Sequence, residues 1–185
     1  MQKQGIEKRG FANNPIVKAI GLQRIVVVIA VILEAVLFSI LSPAFRQYAT
    51  VVSILDYSYY ISFMAIGVTF CLISGGNDLS VGAGMICYAL AGIAAITYVG
   101  VITQVQPGLG DEFNNNAIAS CVMGGTSMAG GVASIGGTII GVLIISLLRV
   151  GIQAMGFRPD YQYIITGVIV ALAVFADIRS SARKK

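Results

Sequence analysis

Residues 63–84, FMAIGVTFCLISGGNDLSVGAG, lead from one apolar segment into another across a break. Phe63 to Ser74 is apolar except for Thr69 and the terminal Ser74. Gly75-Gly76 and then Asn77-Asp78-Leu79-Ser80 interrupt the run before a second one starts at Val81. Each glycine costs a helix interior roughly 1 kcal/mol relative to alanine, so the first helix is expected to end at this pair. Asn77, Asp78 and Ser80 carry short side-chain oxygens that accept the orphan N–H groups of a helix start, so a new helix is expected to follow. The predicted local structure is helix, break, helix, with a carboxylate at the break. In lipid, irregular backbone is tolerated only where protein or a water-filled cavity covers it. An acid beside such a break is how transporter folds build a pathway site. A short surface loop in which Asp78 only caps a helix accounts for the same residues, and both readings stand.

Composition sets the medium. Of the 185 residues, 57% are hydrophobic and 11% charged, against about 45–50% and about 25% in soluble domains. The chain reads as an integral membrane protein. It has no His, which excludes imidazole catalysis and His metal ligation, and it has no Walker-type GxxxxGK[ST] run for ATP. Cys71, Cys87 and Cys121 lie in apolar surroundings without CxxC spacing and read as small buried hydrophobes. The net charge of +4 is a topology signal and does not indicate nucleic acid. Lys3, Lys8, Arg9, Lys18 and Arg24 precede the first apolar run, and Arg179, Arg183, Lys184 and Lys185 follow the last. By the positive-inside rule both ends are placed in the cytoplasm.

Along the chain, 1–24 reads as a polar, basic leader. Ile25 to Leu41 is about long enough to cross a ~30 Å hydrocarbon core. Glu34 sits near its middle and is either part of a transport path or a protonated or paired acid facing other helices. Ser42-Pro43 ends that helix, and Ala44 to Thr50 is expected to be an external loop. Asp56 lies among Tyr57, Tyr59 and Tyr60, which reads as an interfacial aromatic belt, so the second span is expected from Ile61 to Ser74. Val81 to Val105 is the third apolar segment. Gln106 to Glu112 is expected to be an aqueous loop, and Asn114 to Asn116 to cap the next helix.

Ala117 to Gly131, AIASCVMGGTSMAGG, repeats the opening theme: short apolar helix, Gly124-Gly125, hydroxyls at Thr126 and Ser127, then Gly130-Gly131. Val132 to Val150 and Tyr163 to Phe175 are the remaining apolar spans. Paired breaks in corresponding parts of two halves point to the binding region of a transporter. Five clear spans conflict with two cytoplasmic ends, so a sixth crossing or a re-entrant helix is expected at Ala117 to Ser127. The expected fold class is an all-α polytopic transmembrane bundle with two broken or re-entrant helices and about 5–6 membrane segments. It forms one domain over 1–185, with an N-terminal half at 25–84, a C-terminal half at 85–178 and a basic tail at 179–185.

Two stretches go beyond composition. AIGVTFCLISGGNDLSVGAG resembles the GxTxVIxSGGIDLSVG signature of permease subunits from bacterial ABC importers for ribose, xylose and similar sugars. NAIASCVMGGTSMAGGVASIGGTIIGVLIISLLRVGIQAMGF resembles the AIAAVVIGGTSLxGGxGSxxGTxxGAxxxxxLxNGLxxxGV block of the same family. Against that pattern the chain lacks its middle: the resemblance jumps near Gly84 to Tyr88 over several membrane segments and a cytoplasmic loop that docks on the ATPase. No charged residue lies between Asp78 and Asp111. Asn77 stands where the family has Ile, and Arg149 stands within a helix where the family often has Asn, so its charge needs water or a partner.

The resemblance implies one of two permease subunits, in a homo- or heterodimer, forming the passage of a sugar importer in the bacterial inner membrane. Its implied partners are an ATP-binding cassette subunit, an extracytoplasmic sugar-binding protein and the lipid bilayer, with no nucleic acid and no cofactor in this chain, ATP being held by the partner subunit. Asn77, Asp78 and Ser80 at the first break, and Thr126 and Ser127 at the second, are the candidate pathway groups. Gly75, Gly76, Gly124, Gly125, Gly130 and Gly131 permit close backbone approach. Capping and packing alone is the competing role for all of them. A transport-dead remnant or a small accessory subunit is the alternative function. An enzyme is not expected, since no paired-carboxylate or metal set offers an acid, base or ligand.

Overall fold

The computed structural model describes residues 22–74, 81–102, 105, 107–128, 130–158 and 160–182. Among them there are α-helices, one short 3-10 turn and no strand. Helix α1 is Leu22–Leu41, followed by the turn at Pro43–Arg46; α2 is Tyr48–Ile73, α3 Val81–Val101, α4 Leu109–Met123, α5 Ile135–Ala154 and α6 Asp160–Ala182.

Helices α2, α4 and α5 form the centre, with α3 packed on α2, α1 on α5, and α6 on α4 and α5. The main core joins Tyr57, Tyr60, Ile61 and Ala65 of α2 to Phe113, Ala117 and Cys121 of α4 and to Val142 and Ile145 of α5. A second core sets Phe38 of α1 and Phe45 of the turn against Leu147, Leu148 and Ile152 of α5. The outward faces are apolar. Ile29, Ile32 and Ile40 of α1, Met85, Tyr88 and Ile96 of α3, and Ile164, Val168 and Phe175 of α6 are all exposed. Soluble chains do not present patches of that extent, and hydrocarbon is their natural cover. Three helices among the described residues, Tyr48–Ile73, Gly82–Val101 and Ile135–Ala154, are long and apolar enough to cross a membrane, and Val27–Leu41 is a shorter apolar stretch. The chain is an all-α, multi-pass membrane protein.

Small residues set the tightest contact. Ser120 and Gly124 on α4 face Gly137 and Gly141 on α5, each pair four apart and so on one helix face. A Cβ on Gly137 would run into the Gly124 carbonyl, and one on Gly141 into the Ser120 carbonyl. This is the small-xxx-small packing by which membrane helices bring backbones together without a hydrophobic drive.

The structure corrects several boundaries. The segment Ala44 to Thr50 is mostly ordered turn and helix, with Arg46 Nε donating to the Ser39 carbonyl at 2.8 Å and Thr50 Oγ1 to that of Ala44 at 2.9 Å. Helix α2 starts at Tyr48, so its 26 residues absorb the stretch read as an interfacial prelude to a span at Ile61. Tyr57 and Tyr60 are buried, where Tyr60 meets Tyr57, Tyr59, Tyr98 and Phe113 at ring separations of 5.0–5.5 Å. They are bundle core and not a belt. The loop expected up to Glu112 is shorter: Gly108, at φ +83°, turns the chain sharply and α4 begins at the next residue. Asn114 to Asn116 therefore lie inside a helix and cap nothing. The segment Ala117 to Ser127, expected as a sixth crossing or re-entrant helix, is the second half of α4 and the turn after it; α4 begins eight residues sooner, at Leu109, and is not among the helices long and apolar enough to cross.

Candidate functional site

Of the paired breaks, the second is described in full. Helix α4 closes with a left-handed glycine: Gly125 has φ +90°, its N–H bonds the Val122 carbonyl at 3.0 Å, and Thr126 N–H bonds the Cys121 carbonyl at 3.0 Å. This 6→1 and 5→2 pair satisfies two carbonyls that the helix end leaves open. The chain then loops through Gly130 and Gly131, both at positive φ, with Ser127 N–H bonded to the Val132 carbonyl at 2.9 Å. Ser134 caps α5 by accepting from Gly137 N–H at 3.1 Å. Thr126 and Ser127 are buried, at 3% and 8% exposure. The Thr126 hydroxyl has no hydrogen-bond partner among the described residues.

This loop reaches the first break. Gly131 N–H donates to the Ile73 carbonyl at 3.1 Å, the last helical residue of α2. Below this contact, the Thr69 hydroxyl of α2 donates to the Ala65 carbonyl at 2.8 Å and lies 2.9 Å from the Thr138 hydroxyl of α5. The Cys121 thiol of α4 donates to the Ala65 carbonyl at 3.0 Å. The three central helices are thus joined by buried polar contacts just inside the Gly131–Ile73 contact. Gly75, Gly76, Asn77, Asp78 and Ser80 lie outside the described residues.

The intramembrane charges differ in fate. Glu34 is half-buried on α1, and its Oε1 is buried without a hydrogen-bond partner among the described residues. Arg149 has a partner: it forms an ion pair with Glu112 of α4, both side chains about one-fifth exposed. Its guanidinium donates to the Tyr57 hydroxyl at 2.6 Å and sits 4.3 Å from the centre of that ring. Tyr57 also accepts from Asn116 Nδ2 at 2.8 Å and points its own proton at Glu112, 3.4 Å away. Gln162 of α6, 1% exposed, flanks this hydroxyl without completing a hydrogen bond of its own. A polar node therefore links α2, α4 and α5, with Gln162 of α6 beside it, at the end of the bundle opposite the Gly131–Ile73 contact. Placing Glu112 in an aqueous loop hid this node, which pairs residues far apart in the chain. The only signal for it was that Arg149 needed a counter-charge.

The chain is a helical membrane bundle with small-residue packing and buried polar groups. Residues 85–174 match the family described as branched-chain amino acid transport system / permease component. The chain is 39% identical over 101 residues to the ribose import permease protein RbsC of Escherichia coli K12, covering 55% of this chain and 32% of that protein. It is 42% identical over 103 residues to the galactose/methyl galactoside import permease protein MglC of Haemophilus influenzae, covering 56% and 30%. The xylose transport system permease protein XylH of Haemophilus influenzae is 38% identical over 106 residues, covering 55% and 28%. The chain spans about a third of the length of these curated relatives. No solved structure matches it.

Proposed function

We propose that this chain is a membrane-spanning permease subunit of an ATP-driven sugar importer in the bacterial inner membrane, contributing to the passage for a neutral monosaccharide. The observation that carries the reading is the bond from Gly131, in the loop after α4, to the Ile73 carbonyl at the end of α2. Two interrupted helices abutting inside a bundle are how transporters offer backbone and side-chain polar groups to a substrate. The relatives named for ribose, galactoside and xylose import supply the substrate class.

In this reading Asn77, Asp78 and Ser80 from the first break, and Thr126 and Ser127 from the second, replace part of the sugar's hydration. Transport needs no covalent chemistry, only helices that rock between two packings. An ATP-binding cassette subunit drives that motion, a binding protein outside delivers the sugar, and a second permease subunit completes the passage. Both termini face the cytoplasm. The absence of charge between Asp78 and Asp111, where an ATPase-docking loop is expected, supports the competing reading of a transport-dead or accessory subunit.

The test is to express the chain in membranes with an ATP-binding subunit of this importer class, solubilise, and assay the complex. Co-purification with ATP hydrolysis stimulated by sugar-loaded binding protein, and lost in Asp78→Asn, is the expected result. No complex, with a full-length relative binding in the same assay, overturns it.

A further inference from the structure

Cys121 is buried, whereas Cys71 and Cys87 are half-buried, and all three are free thiols. Cys71 stands on α2 and Cys87 on α3, across a close approach of the two helices. Gly67 sets that approach: a Cβ there would lie 3.1 Å from the Cys87 Cα and 3.4 Å from its Sγ. One turn further along α2, on the same helix face, the Cys71 thiol reaches α3 and points at the Ala83 carbonyl, 3.7 Å away. Ala83 lies one turn before Cys87 on its own helix. The contacts of Gly67 with Cys87 and of Cys71 with Ala83 therefore hold the two thiols on neighbouring turns, where they interact directly.

The third thiol is engaged elsewhere. Cys121 on α4 donates to the Ala65 carbonyl at 3.0 Å and lies 3.3 Å from the Thr69 hydroxyl. Among the described residues no set of three Cys, Asp or Glu could hold a metal ion, so Cys71 and Cys87 stand as a pair. We propose that they are an oxidisable dithiol, a modification site whose disulfide staples α2 to α3. Such a bond needs Cα atoms roughly 4.4–6.8 Å apart, and the missing side chain at Gly67 is what lets the two backbones draw together. On oxidation each thiol gives up its proton to solvent and one electron to a lipid-soluble copper(II) chelate, and the two sulfurs join. Two copper(II) ions become copper(I), which balances the two electrons. The residues between the thiols include Gly75, Gly76, Asn77 and Asp78. The disulfide therefore closes a ring over the first break and makes the separation of its two arms depend on redox state. This holds for a transporting and for an accessory subunit alike.

The test is oxidation of the full chain in nanodiscs with copper(II) phenanthroline, followed by denaturation, maleimide counting of free thiols and peptide mass spectrometry. The count is expected to fall from three to one, with a peptide bridge between Cys71 and Cys87 and a monomeric band on a non-reducing gel. Dithiothreitol should restore all three thiols. Cys121→Ala should form the same bridge and leave no thiol free. Cys71→Ala and Cys87→Ala should each keep both remaining thiols under the same treatment. Three free thiols in the oxidised unsubstituted chain overturn the proposal, and so does a bridge that includes Cys121 or joins two copies.

Discussion

Arg149 shows what a single charge requires inside this bundle. Its ion pair with Glu112 and its bond to Tyr57 compensate a desolvation that neither charge could bear alone. Removing one member of a buried pair strands the other, at a cost of about 3 kcal/mol. Arg149→Ala should therefore lower unfolding stability in bicelles by about that amount, whereas Arg149→Met with Glu112→Leu should recover most of it. Equal losses in the single and double variants would show that the pair contributes packing and not charge compensation. That Arg149 needs a partner is legible in an apolar run; which partner is not, because Glu112 is local only after the chain folds. Tyr57 illustrates the same limit. A tyrosine near a helix start suits a membrane interface as well as a core, and only Asn116 and Arg149 decide between them.

At the scale of the elements, α4 and α5 depend on glycine. Gly141 lies against the Ser120 carbonyl, while Gly92 on α3 faces open space. Gly141→Ala should push the helices apart and cost about 1–3 kcal/mol in thermal or denaturant stability, and Gly92→Ala should be neutral or slightly stabilising. Similar outcomes for the two would contradict the close approach. Thr69 and Thr138 join α2 to α5, and a double-mutant cycle with valine at both should give a coupling of about 0.6 kcal/mol, the average for hydrogen bonds between membrane helices. A coupling near zero removes this contact as a tie between them. The glycine pairs and the order of apolar runs were readable because backbone cost and span length are local properties. The start of α4 was not, because a Pro-Gly turn followed by acids looks like a loop until Gly108 adopts its left-handed turn and Glu112 meets Arg149.

For the whole molecule, the outward apolar faces and the basic flanks determine placement. In the proposed orientation, a fluorescent protein fused after Lys185 should be bright and alkaline phosphatase at the same point inactive, since Lys and Arg near both ends favour the cytoplasmic side; the reverse pattern would invert the orientation. The all-α architecture was legible from composition, and the turn that ends α4 from its Gly-Gly pair. The node of Tyr57, Glu112, Asn116 and Arg149 was not, since it assembles from three helices. The measurement that tests the account most directly is uptake. Proteoliposomes holding this chain with an ATP-binding subunit are given labelled ribose, xylose or galactose and binding protein on one side and ATP on the other. The account predicts ATP-dependent accumulation of at least one sugar, abolished by Asp78→Asn. A stable complex that hydrolyses ATP yet accumulates none of them would contradict it and identify an accessory or transport-dead subunit.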